Sequence, residues 1–274
     1  MEASERRVAV VGDDEVASEL RDAVRDAGGR LASPERQSAE SGANAETGAV
    51  AEAKAVGDGD ATLLVAVGEA AIRDAVVAAP DGTVIPVADR RLAFDRDDAA
   101  DALRRLLDGT EANDSVRRVT HPVLAVDGGG VTSVRAAFDV ALVTDEPARI
   151  SEFAVEFSRG RDESVRADGV VVATPLGSDG YANAAGGPLV EPDGGLSVAP
   201  IAPFSTRTDA WVAADRVRLT VEREGEPIAL VVDGERRSAV EPHRPIEIEA
   251  VDRVAFAVPR GRRERADRKH SNNS

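Results

Sequence analysis

The chain has no cysteine, two lysines (Lys54 and Lys269), and one each of methionine, tryptophan and tyrosine in 274 residues. Without cysteine there is no disulfide framework, no thiolate metal site and no cysteine nucleophile. No apolar run approaches the roughly 18 residues that a membrane-crossing helix needs. The opening MEASERRVAVVG lacks the apolar centre of a secretory signal, so a soluble, cytoplasmic protein is expected. Basic residues are also few, 34 against 50 acidic ones, for a formal charge of -16. That charge argues against nucleic acid or an anionic membrane as the main partner. The acidic excess is spread along the chain, as on a solvated surface. Abundant Asp and Glu with almost no Lys is what a cytoplasm at very high salt, that of a halophile, favours, because screening removes the self-repulsion.

What is present divides the chain in two. Arg7 to Gly12 (RVAVVG), Thr62 to Val67 (TLLVAV) and Thr83 to Val87 are short apolar runs of the kind that form buried parallel strands. Helices are expected between and after them. One follows the cap Asp14 with Val16, Leu20 and Val24 at helical spacing; the others cover Glu69 to Ala79 and Asp95 to Leu107. Strands alternating with helices over residues 1–110 predict an α/β domain with a parallel, Rossmann-like sheet. Within it, Pro34 to Asp60 is Ala, Glu, Ser and Gly with few large apolar residues, and reads as a flexible insertion. From 111 to 258 the rhythm changes to alternating or β-rich runs, which predict a β-rich C-terminal domain. Among these runs are Val116 to Val126, Thr132 to Val143, Val165 to Thr174, Ile246 to Ala250 and Arg253 to Val258. Residues 259–274 are polar and read as a disordered tail.

The stretch TPLGSDGYANAAGGP, Thr174 to Pro188, interrupts the β pattern. Thr-Pro ends strand pairing, Gly177 permits a turn, and Ser178 is placed to cap a two-turn helix ended by Gly186-Gly187-Pro188. Its alanines leave room for Tyr181 to approach a flat ligand. The same residues also suit a small helix packed on a sheet edge.

The longer run RADGVVVATPLGSDGYANAAGGPLVEP, Arg166 to Pro192, resembles the signature of NAD kinases, R-x-D-G-[LIV]-x-x-[ST]-T-P-T-G-S-T-A-Y-x-x-S-x-G-G-P, without a gap to Pro188. AAFDVALV (Ala136 to Val143), LSVAPIAPFS (Leu196 to Ser205) and VVDGE (Val231 to Glu235) resemble three further family segments. The resemblance implies an NAD kinase-like fold and a dinucleotide pocket. Asp168 would then hold the nicotinamide carboxamide, Ser178 and Tyr181 would lie by the adenosine with Asp179 beside them, and Asp139 would be the acid of an asparagine–acid pair. Asp168 also suits a turn cap and Asp139 a solvated strand position.

The family's G-G-D-G-T phosphate loop, which lies between a strand and a helix, has no full counterpart. GDGD (Gly57 to Asp60) precedes its strand, whereas a phosphate loop follows one. In the right position stands AVGEAAIRDA (Ala66 to Ala75), with Gly68 for a glycine and Glu69 for the catalytic aspartate. An ordinary helix start with a dipole-favoured Glu69 fits these residues equally. Other departures are Phe138 for asparagine, Asp179-Gly180 for Thr-Ala and Phe204 for histidine. The resemblance implies ATP-dependent phosphorylation of the adenosine ribose 2′-hydroxyl of NAD, with Mg²⁺ on the phosphates, by a homo-oligomer. The altered loop leaves open a nucleotide-binding regulator without turnover and, more remotely, a kinase for a lipid or sugar hydroxyl.

Overall fold

The computed structural model describes residues 7–12, 14–32, 61–79, 81–108, 116–146, 150–205, 209–223, 225 and 227–260. The expected insertion at 34–60, with its GDGD, and the tail from residue 261 on lie outside the described residues. Among the described residues no helix is long and apolar enough to cross a membrane.

The N-terminal half follows its hydrophobic pattern. Strands β1 (Arg7–Val11), β2 (Arg30–Leu31), β3 (Ala61–Val67) and β4 (Thr83–Val87) pair in parallel, in the order β2-β1-β3-β4. Helix α1 (Glu15–Asp26) starts where Asp14 accepts the Ala17 N–H at 2.9 Å. With α3 (Ala99–Asp108) it covers one face of the sheet, burying Leu20, Val24 and Leu103 on Val8 and Val65. Helix α2 (Glu69–Ala78) covers the other, burying Ile72 and Val76. Helix α3 starts one turn later than the expected Asp95: residues 95–98 form a turn in which the Asp98 N–H donates to the Asp95 carbonyl.

The second half is antiparallel β. Strands β5 (Val116–Gly128), β6 (Val131–Ala136), β8 (Ser151–Phe157), β9 (Asp162–Ala167), β13 (Arg216–Val221) and β16 (Ile246–Pro259) extend the first sheet to ten strands. A second sheet has the order β12-β11-β10-β7-β14-β15, built from β7 (Asp139–Thr144), β10 (Gly169–Ala173), β11 (Leu196–Ile201), β12 (Trp211–Ala213), β14 (Ile228–Val232) and β15 (Glu235–Val240). The large core, with Phe153, Leu142, Leu219 and Ile248, fills the space between the two sheets.

Three sequence runs divide differently from their pattern. Thr132 to Val143 breaks at Ala137–Phe138 into β6 and β7. Val165 to Thr174 breaks at Asp168, where the chain leaves the first sheet and enters the second; there the Asp168 N–H donates to the Ile201 carbonyl and its carbonyl accepts from Thr144. The two runs at 246–250 and 253–258 are one strand, β16, with an irregularity between Ala250 and Asp252. The first part of β16 pairs with β13, its last part runs parallel to β4, and β5 follows it along its whole length. The boundary expected near residue 110 is therefore no break in the sheet, since β16 joins the halves.

The TPLGSDGYANAAGGP stretch lies against the end of β7. It forms a 3₁₀ turn, Gly177–Asp179, then a single helical turn α4, Tyr181–Ala184. Ser178 does not cap that turn. It is fully buried; its hydroxyl donates to the Pro175 carbonyl at 2.8 Å and accepts the Val190 N–H at 3.1 Å. Close packing explains the difference: a Cβ on Gly177 would lie 2.1 Å from the Phe138 carbonyl oxygen, so the backbone is pressed onto the 137–139 turn. Gly177→Ala is expected to cost about 3 kcal/mol and lower Tm by roughly 10 °C. Thermal unfolding in molar KCl checks this, and an unchanged Tm would show that the turn has room to move.

Candidate active site

A cavity of about 480 Å³ opens where the α2 N-terminus, the loop after β4, the 137–139 turn, the 233–234 turn and α4 meet. Glu69, Arg73 and Arg90 line it from the first half; Phe138, Asp139, Tyr181 and Asp233 line it from the second. Both halves of the chain present side chains to it.

Its floor is built by Asp233. Asp233-Gly234 forms the two-residue turn between β14 and β15, with both residues at positive φ, 49° and 79°, as such hairpin turns require. The Asp233 carboxylate accepts three backbone N–H groups, from Ala137 at 2.8 Å, Phe138 at 2.7 Å and Asp139 at 3.0 Å. These bonds turn the chain between β6 and β7. The Ala137 carbonyl is held in addition by Thr174 Oγ1 at 2.9 Å and by His121 Nε2 at 3.0 Å. Burial pushes the His121 imidazole down to about 4, so it stays neutral, stacked 4.9 Å from the Phe256 ring.

Two carboxylates meet above this floor. Burial, and then the charge of Asp233, push Asp139 up to about 6. Burial also raises Asp233, against the lowering effect of its three N–H donors. A carboxylate in such surroundings gains most from a ligand that donates hydrogen bonds, such as a sugar hydroxyl or an exocyclic amine. Tyr181, 46% exposed, closes one side, and its hydroxyl is raised by burial, then by Asp139 and Asp168.

On the opposite wall Arg90 reaches across the seam. Its Nε donates to Glu69 Oε1 at 2.9 Å and its Nη1 to Asp179 Oδ1 at 3.1 Å. Its guanidinium carbon stands 4.8 Å from the Phe138 ring centre. Asp179 also accepts the Arg91 N–H at 2.6 Å, and the Arg91 side chain donates to the Val190 carbonyl. Arg73 lies deeper along α2 and pairs with Glu235 at 2.6 Å.

The residues expected from sequence divide into three groups. Glu69, Asp139 and Tyr181 line the cavity, with Gly68 immediately before α2. The Gly68 φ of 88° is a glycine conformation, and its N–H is taken by the Val87 carbonyl rather than left for a phosphate. Asp179 lies behind the wall and anchors the loop after β4. Ser178 is enclosed in the 3₁₀ turn, and Asp168 sits at the strand crossover outside the lining residues of this cavity. Arg73, Arg90 and Asp233 were not expected as site residues. VVDGE contained a signal for Asp233, a turn dipeptide between two apolar runs. Arg90 offered none, because its partners lie 21 and 89 residues away.

The ATP-NAD kinase C-terminal domain model matches residues 139–259. The chain is 36% identical over 124 residues to the NAD kinase of Methanoculleus marisnigri, a stretch covering 44% of this chain and 46% of that one. It is 31% identical over 143 residues to the NAD kinase of Methanosarcina barkeri, covering 51% and 50%. With the bifunctional NADP phosphatase/NAD kinase of Methanocaldococcus jannaschii it shares 35% over 135 residues, 48% of this chain and 23% of that one. The chain thus spans half or less of the length of these curated relatives. Among solved structures, the NAD kinase of Archaeoglobus fulgidus in complex with ATP superposes with a TM-score of 0.62 at 21% identity, over 92% of both chains. Yeast NADH kinase complexed with NADH gives 0.65 at 15% identity, over 92% of this chain and 83% of that one. The chain thus has the fold of these two solved kinases, and its residues 139–259 are similar in sequence to the ATP-NAD kinase C-terminal domain.

Proposed function

We propose that the seam cavity binds NAD by its adenosine end and that the chain transfers the ATP γ-phosphoryl group to the ribose 2′-hydroxyl, giving NADP. The observation that carries this reading is the cavity itself: it brings Glu69, Asp139, Tyr181 and Asp233 around one space on the NAD kinase fold. Asp139, ionised above about pH 6, accepts from adenosine donors. Tyr181 supplies an apolar edge, and Glu69 at the mouth takes the proton of the attacking hydroxyl. Transfer of this kind depends mainly on positioning and on stabilising phosphate charge. A homo-oligomer joined through the second half, working in a cytoplasm at high salt, belongs to the same proposal.

The residues present do not form a resident site for a divalent cation. Among the described residues no group of three or more His, Cys, Asp or Glu side chains could hold a metal ion. Glu69 at the mouth is already paired with Arg90, which also holds Asp179 behind the wall. Mg²⁺ that arrives on the phosphates of ATP needs no such cage. The occupied state of Glu69 favours one second reading, an NAD(H)- or NADP(H)-binding regulator without turnover.

NADP formation from NAD, ATP and Mg²⁺ in molar KCl separates the two. Turnover is expected, with Glu69→Gln lowering kcat about 100-fold or more without weakening NAD binding. NAD binding without NADP would establish the regulator instead.

Asp139 makes stability depend on pH. Its native value of about 6 lies above the ordinary 3.8, so the folded state retains a proton that the unfolded chain releases. The stability contributed by the protonated carboxyl is complete below the ordinary value and is lost as pH rises through about 6. Asp139→Asn is therefore expected to raise Tm over the parent above that range, with the gain shrinking to nothing toward the ordinary carboxylate value. Paired thermal scans across the window measure this, and His121 cancels in the difference. A gain that does not vary with pH would mean that Asp139 titrates normally.

A further inference from the structure

Four positions where the sequence departs from the NAD kinase pattern converge on one side chain. Glu69, Phe138, Asp179 and Gly180 lie on three separate segments, and Arg90 touches all three. It pairs with Glu69 at 2.9 Å and Asp179 at 3.1 Å, and stands 4.8 Å from the Phe138 ring centre. A Cβ on Gly180 would come 2.9 Å from Arg90 Nη1, so the missing side chain there makes room for the guanidinium. Substitutions that look unrelated along the sequence form a single seat for one arginine.

The two ends of that seat differ. Asp179 is 18% exposed and is fixed by the Arg91 N–H, so it does not turn away. Glu69 is 61% exposed, and an ion pair in solvent contributes little. The Arg90 Nε and Nη1 make these two ion pairs, and the side chain lines the cavity. A guanidinium held from behind by a fixed carboxylate and an aromatic face, and in front by an exchangeable one, is arranged to receive a phosphate bidentately.

We propose that Arg90 is a specificity-determining anchor for a nucleotide phosphate: it exchanges the Glu69 carboxylate for phosphate oxygens while Asp179 and Phe138 hold it in place. The protein's own guanidinium then supplies the positive charge that its carboxylates are not arranged to draw from a metal. The same exchange releases Glu69, so phosphate binding and exposure of that carboxylate are one event. This assignment rests on the nucleotide reading of the cavity.

The test is calorimetry on the full chain in molar KCl with EDTA, using ADP and adenosine as probes. The parent is expected to bind ADP about tenfold more tightly than adenosine without metal. Arg90→Gln is expected to abolish that difference and leave adenosine binding within about twofold, whereas Arg90→Lys restores only part of it, having charge without the fork. Glu69→Gln removes the competing carboxylate from an exposed position and is expected to tighten ADP about threefold with adenosine unchanged. Equal loss of ADP and adenosine binding in Arg90→Gln would make Arg90 a structural latch and overturn the assignment. So would ADP binding no tighter than adenosine in the parent, or Glu69→Gln failing to tighten ADP. If the parent binds neither probe, the nucleotide reading of the cavity falls and takes the Arg90 assignment with it.

Discussion

The carboxylate of Asp233 is the contact on which the site depends. Left alone, the apolar run from Thr132 to Val143 would continue as one strand of one sheet. Three backbone N–H groups from Ala137 to Asp139 turn instead toward a single buried acid. That turn sends β6 into one sheet and β7 into the other, and it presents Phe138 and Asp139 to the cavity. It also exposes the Phe138 carbonyl onto which Gly177 packs. A hairpin turn 94 residues further on thus sets the geometry of both walls.

The cost of this arrangement is two acids in a partly desolvated space. Asp233 is compensated by its donors, and Asp139 is not, which is why Asp139 carries the larger consequence for titration. On the far wall the positive groups Arg73 and Arg90 are each committed to a carboxylate. The cavity therefore contains both signs of charge at close range, each able to change partner. Pockets of this kind bind ligands that bring both hydrogen-bond donors and anionic groups, and nucleotides bring both.

Much of the fold was legible because hydrophobic periodicity is a local property. Strands β1, β3 and β4, the Asp14 cap and the change to β-rich sequence after residue 110 all follow from neighbours within a few positions. Where the structure departs from that reading, a distant partner decides. Ala137–Phe138 turns because of Asp233, Asp168 ends a strand because the chain changes sheets, and Ser178 is buried because Gly177 packs on Phe138. The site shows the same division. Glu69, Asp139 and Tyr181, which the family resemblance had singled out, line the cavity, whereas Arg90 acquires meaning only through residues from other segments. In the sequence those residues were visible merely as separate irregularities.

Strand β16 has a consequence for how the protein is made. The first sheet's β4 finds its outer neighbour only in the last part of β16, more than 170 residues further along the chain. Until that strand emerges, β4 is an open parallel edge, and the seam has only one of its walls. Pairings of such long sequence separation form slowly and leave unpaired edges exposed while they are awaited. The seam cavity is therefore a late product of folding. It cannot exist on a nascent chain of the α/β half, whatever the intrinsic stability of that half.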